Sequence, residues 1–258
     1  MPFRPGIAQL VFWALEDLEK RGGIAPIRLV PVAINYLYSR DMTGQIDRAL
    51  RRLERRLELG PAPTSERTVP DALYARLLRV GNVVVSVAEK EYGVRPAAGT
   101  ALGDRLASIK EEIVARVARD LGVALPVDQP LIDRIRRLLL TMDQILAEEP
   151  AGSDYEQQVH RRRQESLRLL YIELRVVLRF VATYEGYVRE TMTAERFLEV
   201  IRLLEFEVFG APRRYGPTVA RLEFGDPIDA SAYWTQYRHD KRETLGRVMG
   251  RLESAVQS

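Results

Sequence analysis

A chain of 258 residues with 46% apolar side chains is long enough to bury a core of its own, which excludes a disordered linker or tail. Formal charge is only +3, because 39 basic side chains are nearly matched by 36 acidic ones along the same segments, and that balance excludes a dedicated polyanion binder. Cysteine is absent, so disulfides, thiolate nucleophiles and thiolate metal sites are excluded together, in keeping with a reducing, cytoplasmic compartment. Lysine occurs only at Lys20, Lys90, Lys110 and Lys241, so the basic side chains are overwhelmingly arginine. The start, Met-Pro-Phe-Arg-Pro-Gly, lacks the basic-then-apolar pattern of a signal peptide. No stretch approaches the roughly 20 apolar residues of a membrane span. The greasiest one, 167 to 188, is interrupted by Arg168, Glu173, Arg175, Arg179 and Glu185 and reads as a buried helix.

Residues 7 to 21 carry Ile7, Leu10, Val11, Ala14, Leu15 and Leu18 at helical spacing and stop at Gly22-Gly23. The next segment, 26 to 34, is short, β-rich and almost continuously apolar, the pattern of a strand covered on both faces in a parallel sheet. Pro31 inside it demands a bulge or an edge. A helix is predicted over 44 to 58, with Ile46, Leu50, Leu53 and Leu57 on one face and Arg48, Arg51, Arg52, Arg55 and Arg56 outside it. Asp47, Glu54 and Glu58 lie among those arginines, which predicts a solvated face laced with i,i+4 pairs.

Gly60-Pro-Ala-Pro-Thr-Ser is turn-rich and marks a boundary. Beyond it, 71 to 92, 100 to 121, 130 to 148, 154 to 191 and 194 to 209 are helical patterns separated by Gly, Pro, Asp or Ser, a bundle of about five members. Ile109, Ile113, Val117 and Leu121 form one stripe, and Ile135, Leu138, Leu139, Met142 and Ile145 another. No fixed-period repeat is present. After Gly210-Ala-Pro-Arg-Arg-Tyr-Gly-Pro, residues 218 to 224 read as a strand, Gly225-Asp226-Pro227 as a turn and 240 to 256 as a last amphipathic helix. The fold class is therefore mainly α with a small α/β part, divided into an α/β segment at 1–59, a helical bundle at 60–214 and a returning strand and helix at 215–258. A helix entering a buried strand is the second half of a β-α-β unit, so the sheet is expected to be open on its N-terminal side, its first strand preceding residue 1.

Phe3-Arg4-Pro5-Gly6-Ile7-Ala8, then Val30-Pro31-Val32-Ala33-Ile34, then a Leu- and Glu-rich helix, resemble the C-terminal half of the glycerophospholipid acyltransferase domain of 1-acylglycerol-3-phosphate acyltransferases. Val30, Pro31 and Val32 are similar to that family's fourth motif, and Phe3, Arg4 and Gly6 to the residues that follow its third. Phe224-Gly225-Asp226-Pro227-Ile228-Asp229, with Gly225 and Pro227 as its fixed points, resembles the Gly-Glu-Pro-Ile segment near the end of such domains. The resemblance covers about 2–58 and 215–257, and implies an incomplete acyltransferase-type sheet with the bundle inserted into it. It also implies acyl transfer from acyl-CoA or acyl carrier protein to a glycerophosphate-type hydroxyl, with a lipid or the inner face of a membrane as partner. That family uses a His, activated by an Asp five residues on, to take the hydroxyl proton while basic side chains hold the phosphate. The His-x4-Asp, the Arg-bearing second motif and Pro-Glu-Gly all precede the matched region and are missing here. The chain alone is thus expected to be inactive, with no catalytic residue of its own, no metal site and no bound cofactor. A non-catalytic helical interaction module that retains part of this scaffold is the alternative.

His160 and Glu165 have a His-x4-Glu spacing, but positions five apart on a helix point 140° away from each other. His239 has Thr244 at that spacing and offers less. Arg4, ahead of the first helix, reads as a solvated side chain completing a turn, with phosphate binding at the helix N-terminus as the alternative. Phe12 and Trp13 are read as core residues, and Arg161 to Arg163 as a solvated run. Tyr233, Trp234 and Tyr237 lack the basic and aromatic alternation of a single-strand platform, so no nucleic acid is expected.

Overall fold

The computed structural model describes residues 6–23, 25–61, 68–126, 128–147, 153–180, 188 and 190–257. The chain is mainly helical, with two small antiparallel strand pairs, and divides into two units: one from Met1–Ser39 and Pro217–Ser258, the other Arg40–Gly216.

In the first unit α1 spans Gly6–Lys20. It buries Ala8, Val11, Phe12 and Leu15, one stripe at helical spacing, and leaves Ile7, Leu10 and Trp13 exposed. Gly22 ends it at φ 100°, in the left-handed region, where the Gly22 and Gly23 N–H groups donate to the Glu19 and Leu18 carbonyls. Two short strands follow, β1 (Arg28–Leu29) and β2 (Val32–Tyr38). Their partners come from the far end of the chain: β3 (Thr218–Phe224) pairs with β2, and β4 (Ile228–Asp229) with β1. A 3-10 turn at Ser231–Tyr233, α8 (Trp234–His239) and α9 (Lys241–Gln257) close the unit. Phe12 stacks on Tyr237 with ring centroids 4.1 Å apart, and Leu15, Trp234, Val248 and Leu252 complete that core.

The parallel, doubly covered strand expected over 26–34 is not what forms. Both pairings are antiparallel, β2 runs on to Tyr38, and Ile34 and Tyr36 are exposed, as is every residue of β3. An apolar β-branched run favours extended backbone whichever neighbour it finds. The neighbour here is a distant segment that turns back along β2, and nothing described covers the resulting ribbon.

The second unit holds six helices among the described residues: α2 (Thr43–Arg56), α3 (Val69–Tyr92), α4 (Leu102–Leu121), α5 (Leu131–Ala147), α6 (Asp154–Phe180) and α7 (Ala194–Phe209). The stripe residues Ile109, Ile113 and Val117 of α4 meet Ile135, Leu138 and Met142 of α5 and Leu167, Leu174 and Val177 of α6 in one core. Helix α6 is described as far as Phe180; residues 181–187, over which the expected helix would run on, lie outside the described set, and Val188, Glu190 and Thr191 are in turns.

Helix α2 belongs to this unit, which corrects the boundary drawn at 59. Arg76 of α3 donates to Asp47 at 2.6 Å and to Glu54 at 2.7 Å, Arg79 reaches Glu54 at 3.2 Å, and Arg52 reaches Glu205 of α7 at 3.1 Å. The arginine-rich face is accordingly only partly a solvated one. Arg51 makes the expected i,i+4 pair with Asp47, whereas Glu54 is buried and serves as a cross-helix acceptor.

Helices α3 and α4 are joined by Arg105, which donates to both oxygens of Glu89 at 2.7 Å and also to Asn82 and Ser86 at 2.8 Å. These hydrogen bonds hold the buried Glu89 carboxyl below its ordinary range. Because its folded value lies below the unfolded value of about 4.3, the stabilisation is complete above that pH and is lost as pH falls through the folded value. Thermal melts across the acid range are expected to be flat from about pH 7 to 5 and to fall below about pH 4. Glu89→Gln should lose part of that acid dependence and lower the neutral-pH plateau. A variant whose acid profile overlays the wild type would show that this pair contributes nothing.

Candidate motif junction

The candidate site is the place where the two family-like segments of the first unit meet. β1 pairs Leu29 with Ile228, and β2 pairs Val32 with Phe224. Between these rungs Val30-Pro31 faces Gly225-Asp226-Pro227, and the ladder breaks because neither proline has an N–H to give. One hydrogen bond spans the break: the Gly225 N–H donates to the Pro31 carbonyl at 2.9 Å. On the far side Ala230 N–H donates to the Ile27 carbonyl, also at 2.9 Å. Pro31 is buried while Val30 and Val32 on either side are exposed, so the proline is the residue that turns inward.

Gly225 is needed there for close approach. A Cβ at that position would sit 3.3 Å from Pro31 Cβ and 3.4 Å from the Ala255 carbonyl oxygen of α9. Gly225→Val is therefore expected to cost about 1–3 kcal/mol, read as a lower Tm of the purified protein. A melt unchanged within about 0.5 kcal/mol would mean that the junction is looser than these contacts require.

Beside the junction lies an open hollow lined by Phe224, Asp226, Ile228 and, from α9, Arg247, Arg251 and Ser254. Its two cations are already engaged: Arg247 donates to Gln236 at 3.1 Å and Glu243 at 2.9 Å, and Arg251 to the Tyr233 hydroxyl at 2.6 Å. No histidine is among the residues that line the hollow.

Phe3 and Arg4 lie outside the described residues. Gly6 opens α1 with free space where a Cβ would stand, so its side of the helix is not crowded. His160 on α6 pairs with Gln164 one turn on, at 2.8 Å, and Glu165 is exposed. His239 is the last, exposed residue of α8. Phe12 is fully buried, but Trp13, read with it as core, is 50% exposed. Among the described residues there is no group of three or more His, Asp or Glu suited to a metal ion, and no helix long and apolar enough to cross a membrane.

Two features escaped the sequence reading. Helix α8 is one, although the three-residue spacing of Trp234 and Tyr237 was its available signal; both are buried against α1. The other is Glu205, a fully buried carboxylate that nothing in its local sequence distinguishes from Glu207. The chain matches no family model, no curated protein and no solved structure.

Proposed function

We propose that the unit formed by 1–39 and 217–258 is the C-terminal half of a glycerophospholipid acyltransferase-type domain, with the helical unit inserted in sequence between β2 and β3. The lineage this implies is transfer of an acyl group from acyl-CoA or acyl carrier protein to a glycerophosphate hydroxyl. The observation that carries the reading is the Gly225 to Pro31 hydrogen bond. Two segments that resemble one domain, separated by the whole bundle in sequence, are neighbours in space, which two chance matches would have no reason to be. The exposed apolar side chains of the ribbon, Ile34, Tyr36, Leu222 and Phe224 among them, add support, since they offer apolar surface to a lipid or to further strands of such a domain.

In this reading the proton-accepting His and its Asp are supplied from outside these residues, and the chain by itself transfers no acyl group. The test is an acyl-transfer assay on the chain alone and on the chain extended by whatever in-frame sequence precedes it. Turnover is expected only in the extended form, and only if the extension carries a His-x4-Asp whose His→Ala change abolishes it. Turnover by the chain alone, or a preceding in-frame sequence without that motif, defeats the proposal.

A further inference from the structure

The helical unit holds a partly open cavity of about 330 Å³ between α3, α4, α6 and α7. Its walls are apolar, with Val85, Leu106, Ile109, Val176 and Leu204 among them, and Val85, Ile109 and Leu204 are buried. Folded interiors are ordinarily packed without voids larger than a water molecule. A mostly apolar hollow accepts apolar guests, and this one has the size of a small-ligand site.

Gly81, in the middle of α3, helps to keep the space open. Glycine is poor in a helix interior, and neither usual reason for one applies here. Its φ is not in the left-handed region, and a Cβ would meet only Leu102 Cδ2, at an ordinary 3.5 Å. What a larger residue would take away is volume from the cavity.

The polar lining gives the class of guest. Glu91, Glu173 and Glu207 contribute to it, Arg116 pairs with Glu173 at 2.7 Å, and Arg179 pairs with Glu207 at 2.8 Å. Three carboxylates against two guanidinium groups leave the surroundings net negative, which disfavours an anionic head group. We infer that this cavity binds the unbranched apolar chain of an uncharged amphiphile, such as a long-chain alcohol or an acyl ester. All of its described lining lies within 74–207, so the inference stands apart from the acyltransferase reading of the other unit.

The experiment is isothermal titration of the full chain with primary alcohols from octanol to hexadecanol, below their solubility limits, and with the matching fatty carboxylates at neutral pH. One-to-one binding is expected, with affinity rising about fourfold per added methylene until the cavity is full. A carboxylate of equal length should bind at least roughly tenfold more weakly. Gly81→Leu should weaken alcohol binding by about tenfold or more without lowering Tm, and Ala88→Leu, at a second lining position, repeats the test should Gly81→Leu fail to fold. Absence of saturable binding, which is the outcome if the chain fills the space itself, overturns the inference. So does equal binding of alcohol and carboxylate, or binding that folded Gly81→Leu and Ala88→Leu proteins retain in full.

Discussion

Glu205→Ala is expected to destabilise the helical unit by about 3–5 kcal/mol and to lower its Tm by on the order of 10 °C. The Glu205 carboxylate is completely buried, yet its acceptor sites are well used: it forms an ion pair with Arg52 at 3.1 Å and takes hydrogen bonds from the Arg213 backbone N–H at 2.8 Å and from the Tyr215 hydroxyl at 2.5 Å. Arg52 is held in turn over the Phe209 ring, 4.2 Å from its centroid. Truncating the carboxylate leaves a mostly buried guanidinium and two further donors without their acceptor. Glu205→Gln should recover only part of the loss, since its amide offers one acceptor oxygen where three donors converge. The diagnostic measurement is a double-mutant cycle. Arg52→Ala should cost much less in the Glu205→Ala background than in wild type, with a coupling of roughly 1–3 kcal/mol. If Glu205→Ala melts within about 2 °C of wild type, the network does not hold α2 to α7 and the boundary at residue 40 has another cause.

That network also shows where the sequence stops speaking. Helix faces were legible because burial follows a period: Ile109, Ile113 and Val117 repeat every four residues, and they are the ones that pack. Gly22 was legible as a stop because glycine readily adopts the backbone geometry a C-terminal cap requires. The run from 30 to 34 was legible as extended but not as exposed or antiparallel. Composition selects the backbone region, whereas the partner strand lies across the whole helical insertion. Arg52 and Arg51 are adjacent and chemically identical, yet one pairs within its own helix and the other crosses to α7, a choice made by the neighbouring helix and by no local pattern. The site divides in the same way. The Pro31 and Gly225 segments were found by motif, while the contact that gives them joint meaning is a tertiary hydrogen bond.

Phe12→Ala should have the largest effect in the other unit, about 3–5 kcal/mol, and its neighbour supplies the control. Phe12 is fully buried and stacks on Tyr237 at 4.1 Å with the rings 4° from parallel, and Tyr237 in turn lies 5.9 Å from Trp234. Removing the ring takes away its transfer free energy, leaves a void between α1 and α8, and ends the aromatic contact on which α8 rests. Trp13 carries a larger side chain but is half exposed, one residue and 100° further round the helix. Trp13→Ala should therefore cost under about 1 kcal/mol. Chemical denaturation of the two variants beside wild type decides the matter, because size alone ranks them in the opposite order. A Trp13 variant that loses more stability than the Phe12 variant would mean that α1 presents a different face to α8 and α9, and the packing assigned to this unit would be wrong.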